Sequence, residues 1–169
     1  ELGYTPMTVS RVVNELLSAG VARLDRQGRA RWLRMEKPPA DTWELIKPRL
    51  RTPVKRQFWI ENAAALHTKH LPLTGLSALA HYTKLADPPQ PAYAVSSVQL
   101  DTSGLKRLRQ ISEPVPGSCQ LQVWAYTPIL GAKDDNKAVD PLSLILSFQE
   151  VTDERIDLAL EELRDHFPW

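Results

Sequence analysis

The sequence is poor in cysteine, in long apolar runs and in the short motifs that mark enzymes. Its single cysteine, Cys119, excludes an internal disulfide and fits a reducing cytoplasm. Placed before "QLQVW", it reads as a small packed residue rather than a nucleophile. No apolar run reaches the length that crosses a bilayer, so no membrane association is expected. A P-loop, a G-x-G-x-x-G fingerprint, a G-x-S-x-G elbow and an H-E-x-x-H zinc helix are all missing. The "QLQVW" stretch also lacks the acid and lysine that a nuclease strand would carry. His67 and His70 are three apart in "HTKH" and share a helical face, with His81 further on, but zinc would need a fourth ligand. Asp134 and Asp135 sit in a polar stretch and read as a solvated loop. Ser77, among leucines and alanines, reads as a helix residue. The expectation is a protein that is not an enzyme and holds neither cofactor nor metal.

What is present is an ordinary globular composition with an uneven distribution of charge. Of the 169 residues 43% are apolar and 24% charged, and the net charge is +1, enough for one domain or two small ones. Residues 1–60 hold 12 Lys/Arg against 6 Asp/Glu, whereas residues 61–169 hold 9 against 14. A basic first part joined to an acidic remainder points to a nucleic-acid-facing segment followed by something else.

The basic part begins with "TPMTVSRVVNELLSAG". Thr5 is placed to cap a helix and Pro6 suits its first turn. Val9, Val12, Val13, Leu16 and Leu17 then form one apolar stripe, and Gly20 ends it. The other face offers Thr8, Ser10, Arg11 and Asn14, side chains able to meet base edges. Two strand-like runs follow, "VARL" and "ARWLRM", around a tight turn at Gly28. Arg23, Arg26, Arg29, Arg31 and Arg34 lie on or beside this hairpin, with Asp25 as its acid. Arginines there can hold phosphate oxygens and release counterions from a duplex.

The stretch "TPMTVSRVVNELLSAGVARLDRQGRARWL", about a fifth of the chain, resembles the recognition helix and wing of winged helix-turn-helix transcription regulators, the MarR-like group among them. The resemblance implies a recognition helix in the major groove, with Thr8, Ser10, Arg11 and Asn14 facing bases. Arg26, Arg29 and Arg31 would reach phosphates or the minor groove, and Tyr4 and Thr5 would anchor the helix start on the backbone. It also implies double-stranded DNA as partner and a homodimer reading two half-sites. A winged helix has further helices before its recognition helix, and the chain opens on Glu1, so residues upstream are expected. The same helix and hairpin would also serve as a scaffold for binding a protein.

From Lys37 the composition turns to prolines and basic residues, and residues 37–57 read as a connector between residues 1–36 and 58–169. Asp41 is expected to cap a short helix through Trp43, Leu45 and Ile46 that Pro48 ends. Lys47, Arg49, Arg51, Lys55 and Arg56 either extend the phosphate-binding surface or are solvated linker charges.

Beyond it, helices are expected up to His70 and over Thr74–Lys84, then a strand over "AYAVSSVQL" and a short helix capped by Thr102 or Ser103. "CQLQVWAYTPIL" reads as a second strand, with Leu121, Val123 and Ala125 alternating with Gln120, Gln122, Trp124 and Tyr126. "VDPLSLILSFQEV" alternates like a strand, but Asp140-Pro141 opens a helix, which is the reading preferred. A last helix is capped by Thr152 and carries Ile156, Ala159, Leu160 and Leu163 on its apolar stripe.

The fold class expected is mixed α+β: part of a winged-helix domain followed by a small α/β domain. The second part, through "LPLTGLSALAHYT", the strand after it and "VDPLSLIL", resembles the C-terminal domain of AbiEi-type antitoxins. That resemblance implies a partner-binding domain, for a toxin-like protein, behind a DNA reader. A small-molecule effector in residues 58–169 stands beside it. The function expected is a cytoplasmic, sequence-specific DNA-binding repressor, with an antitoxin-like protein-interaction module as the alternative.

Overall fold

The structure, a computed structural model, describes residues 5–128 and 137–167. The chain is a mixed α+β protein that divides into two compact units, the first ending at Leu50 and the second beginning at Arg51. No helix among the described residues is long and apolar enough to cross a membrane.

In the first unit, helix α1 (Pro6–Ser18) begins where Thr5 Oγ1 accepts the Thr8 N–H at 3.2 Å, satisfying one of the helix's free donors. Gly20, at φ +66°, turns the chain out of the helix, a conformation glycine adopts without strain. Strands β1 (Ala22–Gln27) and β2 (Ala30–Met35) pair antiparallel, Gln27 opposite Ala30. That register leaves Gly28-Arg29 as a two-residue loop, with Gly28 at φ +61° in the first central position, as a type II′ turn requires. Helix α2 (Pro39–Ile46) runs into a 3-10 turn, Lys47–Arg49. Asp41 does not cap it: Pro38 holds the cap position, Pro39 starts the helix, and Asp41 lies in the first turn facing the dipole's positive end.

Among the described residues of this unit, Val21, Ala22, Thr42 and Trp43 are buried. The apolar stripe of α1 is less covered than its pattern predicts. No residue of α1 is buried, and Val9 and Val12 keep 51% and 47% of their surface exposed.

The second unit is built on a four-stranded sheet ordered β4-β6-β3-β5. Its strands are β3 (Val54–Ile60), β4 (Ala92–Ser96), β5 (Gln110–Ile111) and β6 (Cys119–Trp124). β4 and β6 are parallel, whereas β3 is antiparallel to both β6 and β5. Residues 54–57, expected in a connector, are thus the first half of a central strand. The prolines before them and the Lys55-Arg56-Gln57 run hid it, because both match linker composition. A 3-10 helix, Ala63–Lys69, replaces the α-helix expected before His70.

One face of the sheet carries the apolar core, where Ile60, Val95, Cys119, Leu121 and Val123 meet Leu66, Leu100 and Leu105. α3 (Gly75–Tyr82) packs on β4 and against α5 (Pro141–Ser147) and α6 (Glu154–Asp165). The "AYAVSSVQL" strand stops at Ser96 and becomes helix α4 (Ser97–Thr102). Ser96 Oγ accepts the Gln99 N–H at 3.1 Å while Gln99 Oε1 accepts the Ser96 N–H at 3.3 Å, a capping box. Thr102 and Ser103 therefore end a helix rather than start one, and their hydroxyls donate back to the Val98 and Gln99 carbonyls. α5 forms as expected, its Asp140 Oδ1 accepting the Ser143 N–H at 2.9 Å. α6 is capped one residue later than expected, by Asp153, which accepts the Arg155 N–H at 2.9 Å.

Candidate nucleic-acid interface

The hairpin separates its charges by face. Side chains alternate along each strand, so Arg23, Asp25, Trp32 and Arg34 share one side, and Leu24, Arg26, Arg31 and Leu33 share the other. Asp25 pairs with Arg34 at 3.0 Å and Arg23 at 3.4 Å, and Glu36 stands 3.9 Å from Arg23. These two arginines are thereby partly neutralised. On the opposite side Arg26 faces Arg31 directly, with Arg29 at the turn. All three are exposed, and none makes an ion pair with any described residue. Like charges directly opposed in a ladder cost stability, so this tip carries a positive charge that the fold leaves unbalanced.

Helix α1 is electrically neutral, with Arg11 and Glu15 as its two charges. At 100° per residue, Ser10, Arg11 and Asn14 lie on one polar arc, and all three are exposed. Thr8 lies at the edge of that arc, and its hydroxyl is 2.9 Å from that of Thr5. Thr5 and Thr8 therefore engage each other as the helix cap, which fixes the helix start. Tyr4 lies outside the described residues. Sequence reasoning passed over two exposed side chains: Met7, 78% exposed on the same arc, and Trp32, 59% exposed beside the Asp25 cluster. The alternation in "ARWLRM" already places Trp32 opposite Arg31 and Leu33 in facing.

The basic residues of 47–56 do not make one linker. Lys47 and Arg49 close the first unit, whereas Arg51 belongs to the second. Lys55 and Arg56 are on β3, where the Arg56 guanidinium lies 5.8 Å from the centre of the Phe58 ring.

The other singled-out residues fall as follows. Cys119 is fully buried in the core, and desolvation raises its thiol to about 11. Ser77 is buried in α3, its Oγ accepting the Ala92 N–H at 2.9 Å. His70 ends its 3-10 helix in the left-handed region, φ 47°, and His81 stacks edge-on against Tyr82. The His67 side chain, Asp134 and Asp135 lie outside the described residues. Among the described residues no three His, Cys, Asp or Glu side chains converge as a metal ion requires.

Compared with protein-family models, curated proteins and solved structures, the chain matches none of them.

Proposed function

We propose that this chain is a DNA-binding transcription regulator of the winged-helix kind, MarR-like in its recognition helix, acting in the cytoplasm as a repressor. The observation that carries the reading is the unpaired trio Arg26, Arg29 and Arg31 at an exposed hairpin tip, beside a capped helix whose outer arc holds Ser10, Arg11 and Asn14. Guanidinium groups that no described carboxylate neutralises are available to phosphate oxygens, and each phosphate neutralised releases counterions. Arg11 and Asn14 have the donor and acceptor geometry that reads guanine and adenine edges in a major groove. Backbone contacts fix the register and base contacts specify the sequence, so helix and hairpin divide the work.

A salt titration tests it. Binding by fluorescence anisotropy is compared between duplex from upstream of the chain's own gene and a scrambled duplex of equal length. The expected outcome is a steep fall of affinity with salt on both, with the native sequence bound more tightly. Absence of binding to either duplex at low salt overturns the proposal.

A second reading, an antitoxin-like module that holds a basic partner protein, draws on α6. Asp157, Glu161 and Asp165 recur every fourth residue along that helix and are all exposed. Co-purification of the tagged protein from its host tests it, and recovery of no specific partner counts against it.

A further inference from the structure

The side of the second unit's sheet opposite that core cluster carries Ala92, Ala94 and Trp124 and, beside them, three glutamines. Gln57 lies opposite Gln122 between β3 and β6, and Gln120 is two residues along β6 on the same face. These amides floor a cavity of about 440 Å³ walled by Leu76, Phe148 and Ile156. That volume falls within the usual range for small-molecule sites.

The hydrogen bonds fix which way the amides point. Trp124 Nε1 can only donate, and it donates to Gln122 Oε1 at 3.3 Å. Thr74 Oγ1 donates to the same oxygen at 2.8 Å. Gln122 is buried, so this oxygen is saturated and Nε2 must face the other way, where it donates to Gln57 Oε1 at 3.4 Å. The chain of bonds leaves a second Gln122 N–H and the Gln57 amino group as donors. Gln120 is half-buried at the cavity, and among the described residues its amide has no hydrogen-bond partner.

The strand residues beside the amides are small. The neighbouring β4 residues are Ala92 and Ala94. Gly75 adopts φ +52°, and a Cβ there would stand 3.5 Å from Gln122 Nε2 and 3.9 Å from Gln120 Oε1. Among the described residues the lining contains no Lys, Arg or His, and its one ionisable group is Glu150. A phosphate or carboxylate would find no counter-charge here.

We propose that this cavity binds a neutral planar heterocycle of nucleobase type, its acceptor atoms meeting the donors of Gln57 and Gln122 and its remaining edge meeting Gln120. The flat body lies between Leu76 and Phe148, which offer apolar surface to its faces. Glutamine suits such an edge because one amide presents a donor and an acceptor side by side. The site lies wholly in the second unit and stands independently of DNA binding by the first.

Isothermal titration of the full chain with adenine, hypoxanthine and uracil tests the proposal, with inorganic phosphate and benzylamine as anionic and cationic controls. Saturable binding of at least one base is expected, and none of phosphate. Gln120→Leu removes an amide that has no partner among the described residues, so the fold should survive, while affinity falls about tenfold or more for the lost hydrogen bonds. Leu76→Trp, which fills the cavity from a partly exposed position, should abolish binding. Failure of all three bases to bind, affinity unchanged in both variants, or benzylamine binding in preference to every base would each overturn it.

Discussion

Arg26 and Arg31 stand directly opposite each other across the β1–β2 hairpin, on the face that Asp25 does not share. Two guanidinium groups held in register without an acid between them repel, and the hairpin would be more stable without one of them. Arg31→Glu should therefore raise the thermal midpoint, by the equivalent of roughly 0.2–1 kcal/mol for a like-charge pair turned into an opposite one. The same change should sharply weaken binding to any duplex. Thermal unfolding and anisotropy on one preparation read both. A variant that loses stability as well as binding would mean the arginines hold the hairpin together.

Asp25 restrains two further arginines, Arg23 and Arg34. Asp25→Asn should release them. Because these pairs are exposed, the loss of stability should stay below about 1 kcal/mol. Non-specific affinity for DNA should rise, with a steeper salt dependence. An unchanged slope would place the Arg23 and Arg34 side of the hairpin away from the duplex.

The proposed division of work between hairpin and helix predicts two different mutant behaviours. Arg29→Ala should weaken native and scrambled duplexes alike and lower the salt slope by about one. Arg11→Ala should reduce the preference for one over the other. Equal behaviour of the two variants would break the assignment.

Gln122 joins two buried donors, the Thr74 hydroxyl and the Trp124 indole. Thr74→Val removes one donor and keeps the shape, at a cost of about 1 kcal/mol. Gln122→Leu leaves both donors without their acceptor and should cost more, roughly 2–6 kcal/mol at 1–3 per stranded group. Chemical denaturation ranks the two, and the reverse order would deny Gln122 its central place.

Alkaline pH should destabilise the second unit. Burial raises the Cys119 thiol from 9.0 to about 11, and burial first of all raises the Tyr82 and Tyr93 phenols as well. A raised folded value means that the unfolded chain releases its proton first. The stability contributed by the neutral thiol is thus whole below pH 9 and falls between 9 and about 11. Cys119→Ala should flatten the pH dependence of the unfolding midpoint in that window, whatever its effect on absolute stability. An unchanged slope would assign the alkaline loss to the tyrosines.

Where the sequence was readable, a local device made it so. Thr5-Pro6 and Asp140-Pro141 mark helix starts because cap and proline act within one turn, and Gly28 marks the hairpin because its loop needs a positive φ. The strand β3 was not readable. Its charged first half resembles a linker until β6, more than sixty residues later, pairs with it. The alternation expected from Cys119 through Tyr126 ends as a strand at Trp124, and Gln122 on its polar half is buried, bonded by Thr74 at the start of α3. Gln122 belongs to the interior for that reason, and no pattern within β6 alone reveals it. The arginine trio was legible as composition. That Asp25 neutralises Arg23 and Arg34 and leaves the other three without an ion pair among the described residues depends on register, which only the paired strands settle.

The pairing of Phe58 with Leu121 in the central sheet also sets an order of events during synthesis. The β1–β2 hairpin closes over a two-residue loop and needs nothing made after it. The larger sheet cannot close its middle until β6 has been made, and until then β3 has at most the two-residue β5 to pair with. Non-local pairings of this kind are slow because loop closure precedes any reward. The nascent chain therefore passes through a stage in which the arginine hairpin is complete and β3 still offers the edge that β6 will cover. In that interval the basic Lys55-Arg56 pair on β3 acts as a gatekeeper against pairing with another chain.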